Sequence, residues 1–345
     1  MTEDKGILIR NIYIMLSYAF QELKHNNYEY IKNQNFDNIL DLLAEILYKG
    51  ISKQLKQGLH KEYLFCNESL ASIRGKIDLK ETFRNQINRK RYIGCEFDEL
   101  SENNIFNRIL KTTAFILINN KALHKTRKQQ IRKIMPYFSN VDIIQPETIR
   151  WQSLIYRKDN TNYEMLMNIC YFIIDSLLLT TETGNYKVET FTDKYMPKLF
   201  EHFVLEYYKR HTPMFKAHAD QIPWNISEFD KSVTRFLPNM KSDITLHCPN
   251  KTIIIDTKYY SKALIRNMNK NEIRSAHLYQ IYSYVKNLDV KHNGDVSGIL
   301  LYAKTDEDIS PNLNAIFDKN KISVHTLDLN CEFCEIAEQL DNLIK

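Results

Sequence analysis

Glycine and proline are scarce in this chain, at eight residues each among 345. That scarcity argues against long flexible linkers and against extended disorder. Cysteine is sparse too, and six thiols scattered over this length do not make a disulfide framework. Cys331-x-x-Cys334 has no second ligand pair, which leaves two thiols on a C-terminal helix rather than a zinc site. Long hydrophobic runs are missing, and stretches such as Ala114–Ile118 are far too short to span a bilayer. Met1–Arg10 carry two acids and two bases, unlike a signal peptide. No membrane association is therefore expected, and the expected location is cytoplasmic. Internal repeats and low-complexity tracts are absent as well. No GxxxxGK[ST] occurs, so the chain is not expected to bind a nucleotide through a P-loop of its own.

What is present reads as globular: 43% hydrophobic and 26% charged residues, in a chain long enough for two ordinary domains. Tyrosine is abundant at 21 residues, but it serves cores, interfaces and nucleic-acid surfaces alike. The net charge of +5 is unevenly spread, with 24 Lys+Arg against 17 Asp+Glu in the first 150 residues and 23 against 25 in the rest. From Asn103 to Val141 there is no acid at all. That block holds Arg108, Lys111, Lys121, Lys125, Arg127, Lys128, Arg132 and Lys133. It can meet phosphates or an acidic partner protein, or it can be a solvated helix face.

Hydrophobic periodicity divides the chain near residue 150, where Pro136 and Pro146 punctuate the end of the first half. Helices are expected over Asn11–Lys24, Asp37–Gln57, Asn104–Asn119 and Lys125–Met135, with strands at Tyr63–Cys66, Ile73–Leu79 and Tyr92–Phe97. The second half predicts helices at Tyr163–Thr180, Asp193–His211, Asn271–Leu288 and Glu332–Ile344. Its strands are Val233–Leu237, Asp243–Cys248, Lys251–Tyr259, Ser297–Ala303 and Lys321–Leu329. The order helix, three strands, helix, strand matches a mixed-sheet core common among metal-dependent nucleases.

The informative segment is Lys251–Tyr260, KTIIIDTKYY. Ile253, Ile254 and Ile255 mark a buried strand. Side chains alternate along a strand, so Asp256 and Lys258 share one face. An even, symmetric turn at Pro249-Asn250 pairs Cys248 with Lys251 and carries Asp243 opposite Asp256; an odd turn breaks that pairing. Two facing carboxylates repel. They are relieved by a hard divalent cation with oxygen ligands, Mg²⁺ or Mn²⁺, when phosphate completes the shell. Phosphodiester hydrolysis requires an activated water and stabilisation of a highly anionic transition state; a metal there supplies both, with Lys258 beside it to orient or deprotonate the water or to stabilise developing charge. Glu201 is the candidate third carboxylate and Glu206 the fallback. Gln280, on the helix after this strand, is placed to touch water or phosphate.

Several blocks together resemble the McrC family, the nuclease subunits of McrBC modified-cytosine restriction systems. They are RNIYIMLSYAF at Arg10–Phe20, RGKIDL at Arg74–Leu79 and FDELSENNIFNRIL at Phe97–Leu110, then LPNMKSDITL at Leu237–Leu246, IIIDTKYY and LYQIYSYV. The fold class expected is α/β (α+β overall). A C-terminal PD-(D/E)XK restriction-endonuclease-like mixed sheet flanked by helices (151-345) follows an N-terminal mixed helical/β domain (1-150). The resemblance implies that this N-terminal domain docks into a ring of McrB, an AAA+ motor that hydrolyses GTP, and stimulates it. GTP then enters only through the partner. It also implies that McrB recognises methylated double-stranded DNA and that translocation triggers cleavage. The family's catalytic Asp, Asp and Lys fall on Asp243, Asp256 and Lys258. One departure is that Asn239–Ser242 separate Pro238 from Asp243. The competing expectations are a non-catalytic adaptor that only activates the motor and a free-standing nuclease.

Overall fold

The computed structural model describes residues 3–4, 7–20, 36, 38–157, 160, 162–181, 189–226, 236–259, 264–267, 270–304 and 311–345. In chain order they form α1 (Ile9–Ala19), α2 (Ile39–Gln57), β1 (Glu62–Leu70), β2 (Lys76–Asp78), α3 (Leu79–Ile87), β3 (Ile93–Ser101), α4 (Ile105–Asn119), α5 (Lys125–Ile134) and α6 (Tyr163–Thr181). There follow α7 (Glu189–His211), β4 (Lys216–His218), β5 (Ile244–Cys248), β6 (Lys251–Lys258), α8 (Ser275–Leu288), β7 (Val296–Ala303), β8 (Leu313–Phe317), β9 (Asn320–Leu327) and α9 (Phe333–Leu343). Shorter strands and 3-10 turns lie between them.

Two compact units emerge, Leu43–Leu178 and the combination of Met1–Leu42 with Leu179–Lys345. Neither edge coincides with the expected boundary near residue 150. In the discontinuous unit, α1 packs on α7, and the Asn11 side chain donates to the carbonyls of Leu329 and Cys331, each at 2.8 Å. Contacts this distant in sequence leave no trace in local periodicity.

In the Leu43–Leu178 unit, β1, β3 and β2 form an antiparallel sheet in that order. The strand expected at Ile73–Leu79 is shortened to Lys76–Asp78 because Asp78 caps a helix. Its carboxylate accepts from the backbone N–H groups of Lys80 and Glu81. Helix α3 then lies so close to β3 that a Cβ on Gly94 would stand 2.8 Å from Glu81 Cβ and 2.9 Å from the Asp78 carbonyl. A buried polar hub joins β1 to α4 and α6. Asn107 donates to the carbonyls of His60 and Glu102 at 2.8 Å each and accepts from the Tyr163 hydroxyl at 2.9 Å.

The discontinuous unit is built on a six-stranded mixed sheet in the order β8-β9-β7-β6-β5-β4. β6, β7 and β9 run parallel, while β5, β4 and β8 are antiparallel to their neighbours. The run of Ile253, Ile254 and Ile255 is buried on both faces, as a central strand requires. Helix α8 covers one face through Ile281 and Val285. A Cβ on Gly298 would meet those side chains at 2.7 and 2.8 Å, so only glycine admits this close approach. Helix α7 also packs on this sheet, with Phe200 meeting Tyr259 edge-on. The helix expected over Asn271–Leu288 begins only at Ser275, since Lys270–Ile273 pair as a strand with Leu264–Asn267. Edge strands β4 and β8 were not anticipated. The expected strand Val233–Leu237 and the end of the expected helix Asn11–Lys24 fall largely outside the described residues.

Candidate active site

The β5–β6 hairpin turns at Pro249-Asn250 with Cys248 opposite Lys251 and Ile244 opposite Ile255. This is the register expected from an even turn. Asp243 lies one step beyond the last pair, level with Asp256. Its Oδ2 accepts from the Thr257 backbone N–H at 2.7 Å and from the Thr257 hydroxyl at 2.9 Å, which fixes the carboxylate at the end of β6.

Asp256 is completely buried, and the Lys258 ammonium lies 2.5 Å from its Oδ2. The two side chains thus share a face, as alternation requires. Lys258 is the group paired with Asp256, and among the described residues no further donor reaches its two oxygens. Burial pushes the Asp256 carboxyl up to about 6, with the Lys258 charge opposing the rise and the Asp243 charge adding to it.

Glu201, on α7, belongs to the same electrostatic cluster. Burial raises its carboxyl above the usual range, and the negative charges of Asp243 and Asp256 add to that against Lys241 and Lys198. The fallback, Glu206, is occupied elsewhere: it takes Lys209 at 2.8 Å and Arg210 at 3.5 Å on its own helix. The Gln280 carboxamide donates to the Tyr284 hydroxyl at 2.9 Å, a turn along α8, rather than to the carboxylates.

The donor set suits a hard divalent cation. Among the described residues no three His, Cys, Asp or Glu side chains gather tightly enough to enclose a metal. Mg²⁺ does not need such a cage, because it keeps several waters and takes one or two carboxylates plus substrate phosphate. A buried carboxylate paired with Lys258 alone among the described residues, beside a second acid, is what such an ion would satisfy.

The basic block divides. Arg108 donates to Asn103 at 2.7 Å and pairs with Asp142 at 3.5 Å. Lys111 donates to the carbonyls of Phe138 and Val141 at 2.9 and 2.5 Å. Arg127 pairs with the buried Glu45 at 2.5 Å. These three make internal contacts. Lys125, Arg132 and Lys133 are exposed and Lys128 is half-buried.

Sequence reasoning missed His277 and Tyr302, which lie near Lys258. The His277 Nδ1 and the Tyr302 hydroxyl share a hydrogen bond of 2.7 Å. Burial, then the charges of Lys258 and Arg274, push the imidazole down to about 4, so it is neutral at physiological pH. The only possible signal, the cross-strand pairing of Lys258 with Tyr302, depends on a parallel register that the sequence does not reveal.

Comparison with known proteins agrees with this architecture. The family model of the McrBC 5-methylcytosine restriction system component matches residues 3–303. The chain is 29% identical over 310 residues to the type IV methyl-directed restriction enzyme EcoKMcrBC of Escherichia coli K12, covering 88% of each. Its fold is similar to a chain in the refined half-complex of Thermococcus gammatolerans McrB AAA+ hexamers with bound McrC. There the TM-score is 0.56 at 16% identity, over 97% of this chain and 76% of that one. By the extent of the family match, this chain belongs to the McrBC 5-methylcytosine restriction system components.

Proposed function

We propose that this chain is the metal-dependent endonuclease subunit of a GTP-driven modified-cytosine restriction complex, cutting double-stranded DNA and stimulating its AAA+ partner. The observation that carries the cleavage half is Asp256, a fully buried carboxylate paired with Lys258 at 2.5 Å, with Asp243 adding negative charge. Asp243 and Asp256 would hold Mg²⁺ or Mn²⁺, with Glu201 as the third carboxylate. The chemistry supplied by a cation there is neutralisation of phosphate charge and acidification of water. Thr257 keeps Asp243 in place through two hydrogen bonds. Lys258 Nζ donates to the attacking water and to the oxygen on which negative charge develops. Gln280 lies on α8, where its carboxamide donates to the Tyr284 hydroxyl.

This assignment sets a pH dependence. A raised carboxyl keeps its proton to higher pH, and the proton must leave before the oxygens can bind a cation. Mn²⁺ affinity of the isolated chain is therefore expected to rise steeply as pH passes upward through about 6, with proton release on binding. Calorimetric titrations from about pH 5 to about pH 8 check this. An affinity flat across that range contradicts the assignment.

The partner half rests on likeness to an assembly of McrB AAA+ hexamers with bound McrC. GTP reaches the complex only through that McrB-like ring. A surface suited to docking exists on the Leu43–Leu178 unit. Leu79, Phe83 and Ile87 recur every fourth residue on α3 and are all exposed, Ile87 by 82%. Tyr63 and Phe65 on β1 are exposed as well. Exposed apolar surface of this kind marks interaction sites. Phe83→Asp combined with Ile87→Asp is expected to lower stimulation of partner GTP hydrolysis by roughly thirtyfold or more, the effect of losing a hot spot. GTP turnover with added chain measures it, and full stimulation by the folded double variant contradicts it.

A further inference from the structure

Lys258 and Tyr302 are register partners in the parallel β6–β7 pair, so both side chains leave the sheet face that α8 covers. His277 reaches that face from the first turn of α8. Its ring lies 5.9 Å from the Tyr302 ring, and the two share the 2.7 Å hydrogen bond. Both are buried, at 8% and 1% exposure. Around Tyr302 the core is apolar, formed by Ile254, Ile281, Leu300 and Val324. Burying two polar groups there costs more than burying leucine and phenylalanine in their place. Packing alone does not call for them.

Lys258 supplies the reason. A lysine stem has four rotatable bonds, and an amine displaced by about 1 Å loses much of its catalytic effect. Tyr302 is the register neighbour of Lys258, and His277, hydrogen-bonded to Tyr302, lies close enough to feel the ammonium charge; neutral groups on that face restrict the stem without repelling its charge. A cation in the same place would push the ammonium away.

We infer that His277, held in place by Tyr302, is a positioning residue for the cleavage reaction, confining Lys258 so that its amine stays at the rim of the site beside Asp256. This rests on the nuclease role proposed for Asp256 and Lys258. Neither His277 nor Tyr302 touches the reacting phosphate; both act through the lysine.

The test uses the full chain assembled with its AAA+ partner, GTP and Mg²⁺ on a plasmid carrying 5-methylcytosine. Single-turnover strand cleavage and GTP hydrolysis are read in parallel for His277→Leu, Tyr302→Phe, His277→Asn and Asp256→Ala. His277→Leu keeps the volume and loses the hydrogen bond, and Tyr302→Phe removes one oxygen. Each is expected to slow cleavage roughly ten- to a hundredfold with GTP hydrolysis unchanged. His277→Asn places an amide where Nδ1 stood and is expected to restore cleavage to within about threefold of the parent. A purely structural role would lower thermal stability and both activities together, with no selective rescue by asparagine. Parental cleavage by Tyr302→Phe, with Asp256→Ala inactive, overturns the positioning role and leaves the nuclease assignment standing. Equal cleavage by the parent and Asp256→Ala overturns both. Should His277→Leu fail to fold, Tyr302→Phe decides the question.

Discussion

Replacing Asp256 with alanine is expected to slow DNA cleavage by roughly a thousandfold or more, about 4 kcal/mol of transition-state stabilisation, while stimulation of the partner's GTPase persists. The size follows from what the side chain does. It is the deepest acid of the site, and no other described carboxylate lies as close to Lys258. On the proposed role, its removal would cost the cation a ligand and the lysine its counter-charge. Truncation also strands an ammonium that is only 13% exposed, which carries its own stability cost. Asp256→Asn keeps the shape and serves as the companion variant. GTP hydrolysis is expected to survive in both, because the apolar stripe on α3 belongs to the other compact unit. If neither the parent nor the variants cut DNA while all of them stimulate the motor, the chain is the adaptor and not the nuclease.

The second large effect concerns stability. Arg127→Ala is expected to cost about 3–5 kcal/mol, the usual consequence of removing one member of a buried ion pair. Glu45 is 1% exposed and Arg127 15%, at 2.5 Å. Lys49, 4.0 Å from Glu45 and one turn along the same helix, compensates only in part. Chemical denaturation measures the loss. Replacing the pair together, Glu45→Leu with Arg127→Met, is expected to restore most of the stability, because the desolvation penalty disappears with the charges. A loss below about 1 kcal/mol for Arg127→Ala would mean that Glu45 finds water or another donor.

Arg127 also shows where sequence reading stops. Eight basic residues without an acid look like a binding surface when counted. Three of them instead reach acceptors that only the fold supplies: Glu45, Asp142 and the carbonyls of the turn after α5. The geometry of the candidate site was far more legible. The alternation that puts Asp256 and Lys258 on one face is a local property of any strand, and the hairpin turn fixes the register that brings Asp243 level with them. Glu201 sits about three helical turns into α7, and its approach to the acids could be proposed but not placed. Asp78-x-x-Glu81 carried a capping signal strong enough to have ended the expected strand Ile73–Leu79. The pairing of α1 with the C-terminal elements has no local signature, which is why the division into units differs from the change in rhythm at residue 150.

The most direct measurement is Mn²⁺ binding to the purified chain near pH 8, followed by the loss of the free-ion electron paramagnetic resonance signal, for the parent, Asp243→Asn and Asp256→Asn. The predicted result is saturable uptake by the parent that both substitutions weaken by at least about tenfold while the fold is retained. Equal uptake by all three proteins would contradict the account, because the cation would then be held somewhere other than between these two acids.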